Sequence, residues 1–303
     1  MISFRFHLVS LVAVFMALGL GVLAGTTVIN QGIVADLDRR LDDFEQVNQQ
    51  LREDVSELQA EVDAWTSVRP YLVHDQLLGE QAIVVTEQWT DENTATSVLE
   101  GLRRAGADVM ALLSVGDRMA LVTEGDRQAL ADALGAPGVT TADALRAQAA
   151  TDLADRLAFG PVGADVLADL IDQDFLLNQG AQLGDEGLEQ LAAADLVVVV
   201  AGNGERPVVQ PGSFLVPLIE ALADADTQAV GAAEGYGSAY DFVGLLREDG
   251  AVADSIVTQD NVDQVPGQIG FVLGLKDLVR FGVSGHYGIK DGASRALPPP
   301  TEG

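Results

Sequence analysis

The sequence predicts an α/β protein with an N-terminal transmembrane helix and a coiled-coil stalk, followed by a Rossmann-like, doubly wound, mostly parallel sheet with a helical insertion. Three observations predict it. The run from Leu8 to Ile29 contains no Asp, Glu, Lys or Arg, and at about 1.5 Å per helical residue it extends roughly 33 Å, enough to cross the hydrocarbon core of a bilayer. Directly after it, apolar residues alternate three and four apart at Val34, Leu37, Leu41, Phe44, Leu51, Val55, Leu58, Val62 and Trp65, the seam of a left-handed coiled coil. Beyond residue 80, short β-branched runs alternate with helical patterns, and one of them, Leu196 to Val200, is apolar on both faces, the mark of a central strand in a parallel sheet covered on both sides. The chain thus divides into an anchor (1–30), a stalk (31–69), an extracytoplasmic α/β domain (80–292) and a disordered tail (293–303).

In the anchor, Gly21 and Gly25 form a GxxxG pair through which two membrane helices could approach closely, although glycine is common in membrane helices generally. A cleaved signal peptide, cut after Ala24, is the competing reading; signal peptides have apolar cores of about 7–15 residues, shorter than this run. Lys and Arg do not decide direction, because Arg5 precedes the run while Arg39 and Arg40 follow it. The very short N-terminal tail and large C-terminal part resemble a signal anchor, with the N-terminus in the cytoplasm and a single pass.

The stalk spacing breaks once, at Asn48, which takes an a position. A pair of such Asn residues can hydrogen-bond across a parallel dimer, disfavouring other registers at a cost in stability. Arg40 at g would face Glu45 at e of a second copy. Leu41, Phe44, Asn48, Leu51, Val55, Leu58 and Val62 are therefore the expected homodimer seam, the alternative being an amphipathic helix packed on the chain's own globular part.

Arg69 and Pro70 are expected to end the rod, since proline cannot continue the hydrogen-bond ladder. Ala82–Thr86 reads as a strand, Asp91–Ala105 as a helix and Asp108–Val115 as a strand, a βαβ unit with parallel pairing. An Ala-rich helical region from Met119 to Phe159, broken at Gly135, Pro137 and Gly138, is followed by short helices running to Leu177. Then come a helix at Asp185–Ala194, the strand at Asp195–Ala201, a helix at Ser213–Ala223 capped by Ser213, a strand at Gln228–Ala232, a helix at Ser238–Leu246, a short strand at Ser255–Thr258 and a closing helix at Gln268–Phe281.

Composition narrows the function. Of 303 residues, 46 are acidic and 17 basic, a net charge of -29 that repels nucleic-acid phosphate. The chain has no Cys, which excludes disulfides, thiolate metal sites and a Cys nucleophile, and only three His, at positions 7, 74 and 286. No nucleophile elbow, phosphate-binding P-loop or zinc-protease helix occurs, so no catalytic residue is assigned and no enzyme is expected. Gly202, Asn203 and Gly204 follow the apolar strand but lack the rest of a dinucleotide fingerprint, which favours a tight turn. Gly231, Gly235 and Gly237, around Glu234 and Tyr236, could line a pocket or only shape a loop. Copper favours thiolate, thioether or imidazole ligands. His286, within the expected tight turn Gly285–His286–Tyr287–Gly288, is the one metal-ligand candidate, set against a purely structural role.

The opening Met1–Ile2–Ser3–Phe4–Arg5 leading into His7–Gly25, the acidic heptad stalk and the closing Gly285–Gly288 together resemble the mycobacterial copper transport protein B family, over essentially the full length. The resemblance implies copper efflux or homeostasis in the cell envelope, with copper as its metal, and a family label of outer-membrane channel component. It also implies a link to septation, beside a cytoplasmic membrane-associated partner and peptidoglycan hydrolysis. The residues themselves offer one spanning helix per chain and strands buried in α/β units, which suits a membrane-held scaffold with a cell-wall partner better than a pore.

Overall fold

The computed structural model describes residues 4–300 apart from 89, 164, 181–186, 188–190, 192, 203–206, 208 and 226, and gives only the backbone at 26–35 and 38. The chain forms two compact units, 1–63 and 64–303.

The first unit is helical, part of α1 (Phe4–Val73). Its opening 22 residues, Phe4–Gly25, are long and apolar enough to cross a membrane, and none of them is buried. Leu41, Phe44, Leu51, Val55, Leu58 and Val62 are all exposed on this helix. The Asn48 side-chain amide donates to the Phe44 carbonyl one turn back, at 3.0 Å. Arg40, expected to face Glu45 of another copy, pairs with Asp36 of its own helix at 3.0 Å.

In the second unit, α1 does not stop at Pro70. It continues to Val73, because Val73 and Leu77 are buried in the core and the Pro70 carbonyl receives the N–H of His74. The strands follow as β1 (Gln81–Glu87), β2 (Asp108–Val115), β3 (Leu176–Asn178), β4 (Leu196–Val200), β5 (Ala229–Ala233), β6 (Val257–Gln259) and β7 (Gly285–Tyr287). They make one mixed sheet in the order β3-β2-β1-β4-β5-β6-β7, all pairs parallel except β2 with β3. The Leu-Val-Val-Val-Val run of β4 is buried at every position and pairs in parallel on both sides, Thr86 with Val200 and Val200 with Ala233. Apolar side chains on both faces are what a strand sandwiched between helical layers requires.

Those layers are α2 (Glu92–Arg104) with α8 (Val265–Phe281) on one face, and α3 (Glu124–Ala133), α4 (Ala142–Phe159), α5 (Val166–Asp172), α6 (Leu215–Ala225) and α7 (Phe242–Glu248) on the other. Side chains of β1 divide between them by the two-residue period of a strand: Ala82 and Val84 join the first core, Ile83 and Val85 the second. α2 is capped by Asp91, whose carboxylate accepts the N–H groups of Asn93 and Thr94 at 3.0 and 3.2 Å.

Further sequence expectations differ from the structure, among them the cap at Ser213, which lies in a 3-10 turn before the helix that starts at Leu215. The short helices expected up to Leu177 end at Asp172. A left-handed turn at Asp174 (φ 57°) then redirects the chain into β3, held by Gly116 N–H to Phe175 O at 2.9 Å. The helix expected from Ser238 starts only at Phe242, after its cap Asp241, which receives the Gly244 N–H at 3.2 Å. Gly285–Tyr287 is an edge strand parallel to β6, not a tight turn. Residues 293–300 are tied down where a disordered tail is expected: Arg295 bridges to Tyr287, Ser294 donates twice to the His286 carbonyl, and Leu297 packs on the core. Most of the helix expected at Asp185–Ala194 lies outside the described residues, as do Asn203 and Gly204.

Candidate functional site

In a parallel sheet covered on both faces, ligands bind outside the carboxyl ends of the strands, where the strand order reverses. Here the order runs outward in opposite directions from β1 and β4. Buried polar side chains gather at this end of the sheet: Thr86 and Glu87 close β1, Glu234 follows β5, Gln259 closes β6, and Asp260 and Asn261 follow it.

Two of the carboxylates are matched by cations. Arg247 of α7 reaches Asp260 through its guanidinium at 2.8 Å, and also donates to Thr258 Oγ1 at 3.1 Å and to the Tyr287 carbonyl at 2.6 Å. Asp260 in addition accepts the backbone N–H groups of Ile289 and Lys290, at 2.8 and 3.0 Å. That leaves room for no side chain at Gly288, whose φ is +128° and whose Cβ would sit 2.2 Å from Asp260 Oδ1. Lys290 pairs with Glu234, whose other oxygen accepts the Val243 N–H at 3.3 Å. Burial raises the Glu234 carboxyl above its ordinary range, and the Lys290 ammonium opposes that rise. Glu87 has no such partner: its Oε1 is buried without a hydrogen bond, and burial pushes its carboxyl up to about 7.

His286, the candidate metal ligand, sits half-buried in β7 with Nδ1 2.9 Å from Thr258 Oγ1. Thr258 Oγ1, which also accepts from Arg247 Nε, is thus the hydroxyl neighbour of His286 Nδ1. Burial and then the Arg247 charge both lower the basicity of the imidazole. No group of three or more His, Cys, Asp or Glu side chains that could hold a metal occurs among the described residues. With no Cys in the chain and Met119 fully buried in the core, the donor set at His286 does not fit a resident copper site.

Of the other residues singled out by sequence, Gly202 follows β4 with φ +86°, where a Cβ would meet Ser238 Oγ at 2.1 Å, so it serves a close approach between strand-end loops. Gly21 and Gly25 lie on α1 with nothing near an added Cβ. Sequence reasoning missed Glu87, Arg247, Asp260 and Lys290. The signal for the acidic ones was present, since Glu87 ends a strand and Glu234 and Asp260 each directly follow one.

The family model described as "Copper transport outer membrane protein, MctB" matches residues 1–298. The Copper transporter MctB of Mycobacterium tuberculosis (strain ATCC 25618 / H37Rv) is 26% identical over 339 residues, covering 97% of this chain and 98% of the relative. That of Mycobacterium leprae (strain TN) is 29% identical over 333 residues, covering 99% and 100%. The match takes in the apolar helix, the rest of α1 and the whole sheet with its carboxyl-end ion pairs, and on that extent this chain belongs to the MctB copper transport family.

Proposed function

We propose that this chain is a non-enzymatic envelope protein that supports copper efflux while held in the membrane by the apolar helix Phe4–Gly25. The observation that carries the reading is the family match from the first residue to residue 298, which includes that helix. In this reading the helix is a single-pass anchor with the N-terminus in the cytoplasm, the α/β head lies outside, and copper is cargo handled together with partners and not a resident cofactor. The strand order and the helices on both faces support a Rossmann-like description of the head. Its strand-end carboxylates Glu234 and Asp260 are engaged by Lys290 and Arg247, which favours a structural over an acid–base role.

The stalk is read as a parallel homodimer. What supports it is the row of exposed apolar residues from Leu41 to Val62, which a second copy would cover. The relatives described above carry the name of a copper transporter and give the septation alternative no support.

Equilibrium dialysis of the full chain in detergent against copper tests whether copper is held by the protein itself. The expected outcome is no stoichiometric binding, with wild type and His286→Ala alike. One copper per chain, lost in His286→Ala, would overturn it.

A further inference from the structure

Asp152, Asp155 and Phe159 stand three and four residues apart in α4, so they share one side of its last turns. That side is not covered by the core: Phe159, large and aromatic, is 58% exposed. At Gly160 the backbone takes a positive φ of 78° that ends α4, and the chain returns through Val162, 81% exposed, to Asp165 at the start of α5. Asp165 fixes this return, because its carboxylate accepts the Leu167 N–H at 3.1 Å and the Arg156 guanidinium at 2.7 and 3.1 Å. Between the end of α3, the end of α4 and the start of α5 this leaves an open cleft of about 640 Å³.

Two kinds of group line the cleft. Leu134, Phe159, Val162 and Val166 give it apolar surface, and Asp132, Asp152, Asp155 and Asp169 bring four carboxylates to it. Arg156 is the cation that lines it among the described residues, and Asp165 already holds that guanidinium. Asp132 and Asp152 are met by neutral donors, the Gln128 and Gln148 amides at 2.8 and 2.7 Å. Burial raises the Asp152 carboxyl above its ordinary range; the Gln148 hydrogen bond opposes that rise and the Asp155 charge adds to it. The cleft is therefore negative as well as partly apolar.

Exposed apolar groups set among polar ones mark surfaces that another molecule covers. Charge selects the molecule: the carboxylates repel anions and anionic lipid, and they disfavour a second copy of a chain whose net charge is -29. Size selects further. A small cation seated among the carboxylates would leave much of Phe159 and Val162 in water, whereas a peptide laid across the cleft covers both and presents several cations at once.

We infer that the cleft between α3, α4 and α5 is a docking surface for a basic segment of another protein. Lys or Arg side chains of that segment meet the four Asp carboxylates, and its large apolar side chains pack on Leu134, Phe159 and Val162. The inference stands apart from copper efflux, because the cleft offers neither imidazole nor sulfur.

A fluorescent synthetic peptide alternating Lys and Leu tests it, titrated with the full chain in phosphatidylcholine nanodiscs and read by anisotropy. Empty nanodiscs serve as the blank, and about 0.3 M salt screens the general acidity of the surface. Saturable binding is expected, and none by the same peptide with Glu for Lys or with Ser for Leu. Phe159→Ser, and the pair Asp155→Asn with Asp169→Asn, are each expected to weaken binding about tenfold or more, with circular dichroism establishing that the variants fold. Val162→Ser repeats the apolar test at the more exposed position. Glu124→Gln with Asp143→Asn removes the same charge from exposed sites at the opposite ends of α3 and α4, and is expected to change nothing. Failure of wild type to bind the Lys and Leu peptide would overturn the inference, as would equal weakening by the control pair or unchanged affinity in the folded cleft variants. So would phenethylamine binding as tightly as the peptide, the mark of a small-molecule site, or self-association lost in Phe159→Ser, the mark of an interface between copies.

Discussion

Asp260→Ala is expected to destabilise the α/β head by about 3–5 kcal/mol, the range for breaking a buried ion pair by deleting one partner. Asp260 is fully buried, and the side chain of Arg247 is only 3% exposed. Deleting the carboxylate therefore strands the guanidinium in the interior, together with the N–H groups of Ile289 and Lys290. A stranded buried charge is far costlier than an exposed one, because water cannot replace the lost partner. The same change loosens residues 288–290, so Lys290 and its contact with Glu234 are weakened in turn. Urea denaturation followed by circular dichroism measures this. A loss under about 1 kcal/mol would mean the pair behaves as a solvated surface bridge.

Glu87→Gln is expected to act in the opposite sense and only at higher pH. The Glu87 carboxyl titrates near 7 in the folded protein against an ordinary value of 4.5. Between those values the folded state binds a proton that the unfolded state has released, so stability falls as pH rises through this window and levels off above it. A displacement of this size corresponds to about 3 kcal/mol. That cost is absent below the ordinary value and fully present above 7. The Gln variant carries no such titration, so the difference between variant and wild type should grow across the window in favour of the variant. Parallel stability curves for the two proteins from acid to neutral pH would show that Glu87 is solvated after all.

How much of this was legible in the sequence follows from the range over which each feature is encoded. The strands Gln81–Glu87 and Asp108–Val115, the helix between them and the fully apolar β4 were readable, because local periodicity and burial on both faces leave a direct imprint. β3 and β7 were not, since each is three residues long and owes its pairing to a neighbour far away in the chain, Val115 for Leu176 and Gln259 for Tyr287. The extension of α1 past Pro70 was hidden for the same reason: the burial of Val73 and Leu77 is a tertiary effect. At the site, His286 stood out through its rarity, yet the structure gives it a hydroxyl neighbour, and no cluster of three or more metal-ligating side chains occurs among the described residues. Abundant carboxylates concealed Glu87, Glu234 and Asp260. Among 46 acidic residues a place at a strand end does not by itself set these apart, and the burial that accompanies it is a property of the folded sheet.

The proposed role of the chain is copper efflux from a place in the membrane. It is tested most directly by measuring cell-associated copper under copper challenge in a strain lacking the gene. That strain would be complemented either with the full chain or with a form whose residues 4–25 are replaced by a cleavable secretory signal. The deleted strain is predicted to accumulate copper, the full chain to restore the wild-type level, and the released head to leave copper high. Unchanged copper in the deleted strain, or full restoration by the released head, would contradict it.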